Sequence, residues 1–203
     1  PSFASADSSE PAPAMPAAPD VFISYRRTHS AAALLLQREL QSHGFNAFVD
    51  VNREAGLGLG EFQSQLEAVL RNVRVVIVLA TSAPSGPDKP EDGAANRQHL
   101  SSMATIAAYA ERGWTDWCRV EMAEALRLRK LVIPVYSGDS GVAFIGAELG
   151  HLAGLWDVEP LRGLNALPLH SGSYGHSVGL LVNMIREFDA LDETTRLERL
   201  PDM

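Results

Sequence analysis

Short runs of consecutive apolar residues alternate with amphipathic stretches along most of the chain. The apolar runs predict five strands, at residues 21–25, 45–51, 73–80, 131–136 and 164–169. The run at 73–80 is almost wholly aliphatic, which is typical of a central parallel strand that is buried on both faces. Strands that alternate with helices at these lengths predict an α/β fold, in which helices cover both sides of a parallel sheet.

Between the strands, apolar residues recur at every third or fourth position, and this period indicates helices. The predicted helices cover about residues 28–43, 62–70, 96–112, 116–129 and 178–188. Thr28 or Ser30 caps the first helix, and Gly44 follows its last turn. The segment after the fourth strand is interpreted as a loop that contains Phe144 and Trp156.

The helix predicted at 116–129 carries a candidate acid next to an aromatic ring. Thr115 has a hydroxyl suited to an N-cap, and Asp116 suits the positive end of the helix dipole. Trp117 and Glu121 lie one turn apart, beside the apolar stripe that starts at Cys118. A carboxylate held beside an indole is partly desolvated, which strengthens its interaction with a nearby cation. The alternative is that Glu121 is an ordinary solvated residue of the helix.

Length and composition indicate one globular domain with extensions. The chain has 203 residues, of which 46% are hydrophobic and 21% are charged. Residues 1–19 are rich in Pro, Ala and Ser and are predicted to be a disordered linker. A folded domain is predicted over 20–190, followed by a tail at 191–203. The chain starts at Pro1 rather than with a methionine, so we expect it to be a piece of a longer protein.

Charge and cysteine usage exclude several classes of protein. The 17 basic and 25 acidic residues give a net charge of −8, which argues against nucleic-acid binding. The sequence has no apolar run of membrane-spanning length, so no membrane partner is expected. The single cysteine, Cys118, forms no internal disulfide and fits a reducing compartment, from which we expect a cytoplasmic location. No spacing of His and Cys indicates a metal site or a nucleophilic pair.

In a parallel sheet of this kind, ligands bind at the carboxyl ends of the strands. That places Tyr25, Arg26, Arg27 and Asp50 on one rim, together with the glycine-rich loop at 52–60. Guanidinium groups bind phosphate in a bidentate manner and stack on adenine, although both arginines fit a solvated turn as well. Tyr25 is interpreted as either core or ligand, and Asp50 either orders the loop or caps the strand. The loop lacks the GxGxxG spacing of a dinucleotide fold, and the strand ends lack the acids of a phospho-receiver domain.

Four motifs occur together in the order and spacing of a TIR domain. They are VFISYRR, FVDV followed by a glycine loop and a GxF helix start, WCRVE, and LVIPV. Over about residues 20–190 the chain therefore resembles the TIR (Toll/interleukin-1 receptor) family. The resemblance implies a flavodoxin-like, five-stranded parallel sheet in the order 2-1-3-4-5, with helices on both faces.

Within that family, the chain is similar to the NAD-cleaving TIR domains of the animal axon-degeneration type, which act in signalling and cell death. The resemblance implies that Glu121 is the catalytic residue and that NAD+ is the substrate, with no separate cofactor and no metal. Substrate binding is implied for Tyr25, Arg26, Arg27, Asp50, Glu54, Phe62 and Trp117. The resemblance also implies that Phe144 or Trp156 lines the pocket, and that the chain forms homo-oligomers with other TIR domains through the 52–60 loop.

Two functions remain in competition. The first is hydrolysis of the nicotinamide–ribose bond, which gives nicotinamide and ADP-ribose, cyclic ADP-ribose or both. Nicotinamide leaves NAD+ as a neutral molecule, so one carboxylate that stabilises the oxocarbenium-like ribose suffices. The second is a non-catalytic adaptor that acts only by TIR–TIR assembly in innate immune signalling. Such adaptors usually carry a proline-glycine pair in the loop at 52–60, and its absence here favours the enzyme.

Overall fold

The computed structural model of the 203-residue chain describes residues 18–50, 59–81, 101–138 and 142–200, with side chains from 64 in the second range and from 146 in the fourth. These ranges contain five parallel strands: β1 Val21–Tyr25, β2 Ala47–Val49, β3 Val75–Thr81, β4 Leu131–Ser137 and β5 Leu167–Leu169. They form one sheet in the order β2-β1-β3-β4-β5, which confirms the predicted order. Every predicted strand is present, and β2 and β5 are shorter than predicted.

Seven α-helices lie within the described ranges: α1 Ser30–Ser42, α2 Leu59–Asn72, α3 Ser102–Glu111, α4 Trp117–Arg127, α5 Val142–Gly150, α6 Tyr174–Ala190 and α7 Glu193–Arg199. The prediction of a loop after β4 was wrong, because α5 lies there; its two glycines weaken the helical pattern in the sequence. The polar helix α7 forms in the predicted tail. No helix in the described part of the chain is long and apolar enough to span a membrane.

The sheet separates two apolar clusters, because side chains alternate between its faces. One face carries Val21, Ile23 and Tyr25 and packs against α1 and α6. The other carries Phe22 and Val76 and packs against α2, α3, α4 and α5. We call these faces the α1/α6 side and the α4 side. Every residue of β3 is buried, as expected of the central strand.

The strand order reverses at β1 and β3, which pair with Tyr25 opposite Leu79. In such sheets the crevice at this reversal, beside the carboxyl ends of the strands, is the usual ligand site. β1 leads through a short 3₁₀ turn, Arg27–His29, into α1. After the last turn of α3, Gly113 has a positive φ of 67° and turns the chain towards α4. The first turn of α4 then lies beside the end of β1.

Candidate active site

The Glu121 carboxylate lies inside the protein rather than on a solvated side of α4. Its exposed fraction is 0%, and the Ser24 hydroxyl donates a hydrogen bond of 2.6 Å to its Oε2 atom. Ser24 belongs to β1 and is itself buried. Burial of a carboxylate carries a large desolvation cost, so its presence here points to a role other than stability. The alternative interpretation, a solvated helix residue, is wrong.

Asp116, and not Thr115, caps α4. The Asp116 Oδ1 atom accepts a hydrogen bond of 3.0 Å from the Arg119 amide, whereas Thr115 is exposed. The helix therefore begins at Trp117, one residue later than predicted. Thr and Asp are both good N-caps, so the sequence alone did not separate the two. Trp117 packs against the core on the α4 side, one turn before Glu121.

Arg26 is held by a buried ion pair with Asp116. The two side chains are 7% and 1% exposed. The Arg26 guanidinium also lies over the ring of Tyr109 in α3, 5.6 Å from its centroid, and the ring of Trp114 packs edge-on against Tyr109. A cation over an aromatic face is attracted by the negative charge of that face. Arg26 is therefore not part of a solvated turn, which was one of its two interpretations.

Three polar contacts join the end of β1 to the first turns of α4, in antiparallel order. They pair Ser24 with Glu121, Tyr25 with Cys118, and Arg26 with Asp116. In the middle one, the Cys118 thiol donates to the Tyr25 carbonyl at 3.2 Å. We call this set the β1–α4 contact. This contact restrains both the start of α4 and its next turn. It therefore fixes the position of Glu121 along the helix relative to the end of β1.

Tyr25 and Glu121 lie on different sides of the sheet. The Tyr25 ring packs on the α1/α6 side, and its hydroxyl donates to the Asp50 carbonyl at 2.9 Å. Glu121 contacts Ser24, whose side chain points to the opposite face. The sequence interpretation missed Ser24, although a hydroxyl inside an apolar strand, two residues before Arg26, was an available signal. Binding of substrate by Tyr25 and Asp50 stays a prediction.

The other predicted substrate residues are only partly covered by the description. Arg27 lies in the 3₁₀ turn after β1 and is exposed. Glu54 and most of the glycine-rich loop lie outside the described residues. Phe62 lies in α2, but outside the described side chains. The roles of these three residues therefore stay predictions.

Cys118 is a buried thiol that takes part in no disulfide bond. Within the described ranges, no three His, Cys, Asp or Glu side chains form a group that could hold a metal ion. The chemistry of the site is that of a buried carboxylate with a hydroxyl donor, one helical turn after Trp117 and joined through the β1–α4 contact to the Arg26–Asp116 ion pair.

Two cavities near α4 differ greatly in size. One beside Ser24, between α3 and α4, measures about 10 Å³, which is room for about one water molecule. The other measures about 240 Å³, lies on the outward side of α4, and is lined by Trp156, which is 79% exposed. Glu121 is not among the described residues that line the larger cavity, and which aromatic lines the predicted pocket stays a prediction. Phe144, the other candidate aromatic, lies outside the described side chains.

His29 was not singled out from the sequence, because no spacing of His and Cys indicated a site. Its Nε2 atom lies 2.8 Å from the hydroxyl of Thr81, at the end of β3, and its Nδ1 atom lies 3.2 Å from the hydroxyl of Thr28. Burial, and to a smaller degree the charge of Arg26, lowers the pKa of His29 below its ordinary value of 6.5. His29 is therefore neutral at physiological pH, beside the β1–β3 crevice.

The lowered pKa of His29 predicts that acid weakens the fold through this residue. As the pH falls below about 6.5, the unfolded chain binds a proton here before the folded chain does, so the free energy of unfolding decreases until the pH passes the lowered pKa. We expect His29→Gln to lose less stability than wild type between about pH 7 and pH 5, measured by urea unfolding. His176→Gln, at an exposed position of α6, is the control. Equal pH slopes for His29→Gln and wild type would show that the His29 pKa is not lowered.

A family model described as a TIR domain matches residues 21–155. The chain belongs to the TIR domain family. The matched region of this TIR domain contains β1, α4 and every residue of the β1–α4 contact. β5, α6 and α7 follow the matched region.

This TIR domain is 32% identical over 121 residues to a Danio rerio protein named NAD(+) hydrolase SARM1. The match covers 59% of this chain and 14% of that protein, so the chain spans only a small part of the relative's length. The solved structures that match include the TIR domains of the activated Roq1 resistosome, which directly recognises the pathogen effector XopQ, and a metazoan TIR-STING receptor from C. gigas in complex with 2',3'-cGAMP. Their sequence identities are 15% and 18%, with TM-scores of 0.48 and 0.44. The matches cover 83% and 80% of this chain, and 98% and 39% of those chains.

Proposed function

We propose that this TIR domain cleaves the nicotinamide–ribose bond of NAD+, with Glu121 as the catalytic residue. The observation that carries the proposal is the fully buried carboxylate at the β1–β3 crevice, which is bonded to Ser24 and lies one turn after Trp117. The identity of 32% with a protein named NAD(+) hydrolase SARM1 supports the same activity.

The bond that breaks joins C1 of the ribose to the pyridinium nitrogen of nicotinamide. Its electron pair leaves with nicotinamide, whose ring becomes neutral, and the ribose becomes an oxocarbenium-like cation. The Glu121 carboxylate stabilises this cation, and the low dielectric of its surroundings strengthens the attraction. Water then attacks C1 and loses a proton, which gives ADP-ribose. Attack by an adenine nitrogen of the same molecule gives cyclic ADP-ribose instead.

The residues around Glu121 bind and orient the two reacting groups. The Ser24 hydroxyl fixes the orientation of the Glu121 carboxylate by its hydrogen bond to the Glu121 Oε2 atom. Trp117 offers a flat face on which nicotinamide can stack, and stacking also keeps bulk water from the cation. Arg27 supplies an exposed guanidinium for the pyrophosphate, a pairing that is bidentate and assisted by charge.

The proposal is tested by incubation of the purified chain with NAD+, followed by chromatography of nicotinamide, ADP-ribose and cyclic ADP-ribose. We expect nicotinamide in an amount equal to the sum of the other two products, because each cleavage releases one molecule of it. Intact NAD+ after prolonged incubation at high protein concentration would contradict the proposal.

One observation favours a second candidate function, a module that acts by assembly with other TIR domains. Within the described residues, the space beside Ser24 is about 10 Å³, which is far too small for a dinucleotide. A dinucleotide therefore needs a pocket outside this closed space, at the rim of the crevice, and a neighbouring copy that contacts the rim can form part of it. The two candidates then differ in one respect: the module acts by assembly alone, whereas in the enzyme assembly completes the pocket in which NAD+ is cleaved.

A pocket completed by a neighbouring copy makes activity depend on protein concentration. We expect NAD+ cleavage per mole of protein to rise with concentration and with crowding agents, because assembly follows mass action. The measurement is the nicotinamide release rate over a wide dilution range, with light scattering on the same samples. Glu121→Gln should assemble like wild type. A constant rate per mole over the whole range would indicate a self-sufficient monomer.

A further inference from the structure

We infer that Asp116 is a positioning residue for the reaction. Its buried ion pair with Arg26 fixes the position of Glu121 and prevents the Arg26 guanidinium from binding the substrate. The inference rests on the proposed function. Its consequence is a division of roles between two adjacent arginines. Arg26 belongs to the scaffold of the site, and Arg27 meets the phosphates of the substrate.

The two oxygens of the Asp116 carboxylate bind different parts of the fold. Oδ1 accepts the hydrogen bond from the Arg119 amide and so caps α4, at 3.0 Å. Oδ2 accepts from the Arg26 guanidinium, directly after β1. One carboxylate, 1% exposed, therefore ties the start of the helix to the end of the strand. A change in either bond moves the start of α4.

The start of α4 is close enough to Glu121 for such a movement to reach it. Glu121 lies five positions after Asp116, which is about 7.5 Å along a helix axis. A helix transmits a displacement over one or two turns because its backbone hydrogen bonds are continuous. A displacement of about 1 Å at a reacting group can lower a rate by about a hundredfold. The ion pair thus acts on the reaction through the place of Glu121.

The surroundings of Arg26 keep it from the substrate. Its guanidinium is covered by the Tyr109 ring and is 7% exposed. Movement of Arg26 towards a phosphate would leave the Asp116 carboxylate buried without its counter-charge, and that state is strongly unfavourable. Arg27 carries the same charge one residue later and is exposed. The phosphates are therefore met by Arg27.

Asp116→Asn tests the positioning role, because Asn caps helices as well as Asp but carries no charge. We expect kcat to fall by about ten- to a hundredfold and KM to change by less than about twofold, since the substrate contacts remain. Asp192→Asn is the matched control: Asp192 caps α7 by accepting a hydrogen bond of 3.0 Å from the Thr195 amide. Arg27→Gln should have the opposite effect on the two kinetic constants: KM is raised by about tenfold, and kcat is retained.

An unchanged kcat in Asp116→Asn would overturn the inference, and so would a raised KM at unchanged kcat. The second result would mean that the ion pair acts in substrate binding. Should Asp116→Asn fail to fold, the double variant Arg26→Met/Asp116→Asn takes its place with the same expectation. The double variant leaves no buried charge without a counter-charge at this position.

A measurement without turnover separates this inference from the proposed function. Cys118 is the single cysteine of the sequence and lies in the β1–α4 contact, so its alkylation rate reports opening of that contact. We expect Asp116→Asn to be alkylated at least about tenfold faster than Asp192→Asn, with unchanged amide exchange in α6. Equal alkylation rates would overturn the inference. Absence of nicotinamide release from wild type would contradict the proposed function, whereas the alkylation rates would still show whether Asp116 holds the β1–α4 contact together.

Discussion

Glu121→Gln is expected to lower the rate of NAD+ cleavage by about a hundredfold or more, while the variant melts at or above the wild-type temperature. Gln keeps the size of the side chain and an acceptor for the Ser24 hydroxyl, but it lacks the charge that stabilises the ribosyl cation. Stability is retained or increased because a fully buried charge is costly to the fold. Single-turnover kinetics and differential scanning calorimetry measure the two effects.

Glu148→Gln is the matched control for this variant. Glu148 lies in α5, is 3% exposed, and accepts a hydrogen bond of 3.4 Å from the Met103 amide. We expect it to keep cleavage within about twofold of wild type, because most substitutions away from a site act on stability alone. Near wild-type turnover in Glu121→Gln would end its catalytic assignment. Equal losses in both variants would trace the effect to folding rather than to chemistry.

Arg26→Met is expected to destabilise the fold by about 3–5 kcal/mol, because it leaves the Asp116 carboxylate buried without its counter-charge. For a chain of this size, that corresponds to a fall in melting temperature of roughly 6–20 °C. Adding Asp116→Asn to Arg26→Met should restore part of the loss, since Asn keeps the helix cap and removes the isolated charge. Thermal unfolding of the two single variants and the double variant gives the coupling energy.

Arg162→Met provides the comparison, because Arg162 forms an ion pair with Glu159 in which the side chains are 43% and 46% exposed. Solvent screens such a pair, and its loss should cost less than about 1 kcal/mol. A loss of that size in Arg26→Met would mean that water reaches the Arg26–Asp116 pair. Additive losses in the double variant would mean that the two charges do not depend on each other.

The sheet was predictable because its central strands are buried on both faces. β3 is buried along its whole length and β4 along most of it, so each is a continuous apolar run in the sequence. α5 was not predictable in this way, since two of its nine residues are glycines. The exact start of α4 depended on which of two adjacent cap residues the fold would use, and only tertiary structure decided it. Asp116 was chosen because Arg26 binds its second oxygen.

The site was less predictable than the sheet, because its contacts join residues that are far apart in the sequence. Glu121 was predicted from its place beside Trp117 and from the TIR resemblance, but its hydrogen bond to Ser24, which is 97 positions away, could not be predicted. Arg26 and Arg27 look equivalent in the sequence, and only the fold buries one and exposes the other. The position of His29 beside Thr81 likewise depends on the pairing of β1 with β3.

Under the proposed function, Glu121 meets a sugar in a conformation more open than this one, in which its carboxylate has no exposed surface. The apparent dissociation constant for the dinucleotide then equals the intrinsic constant divided by the fraction of molecules in that conformation. An open fraction of about 1% would raise the apparent constant about a hundredfold. A binding event that favours the open conformation would therefore raise the affinity for the proposed substrate without contacting that substrate.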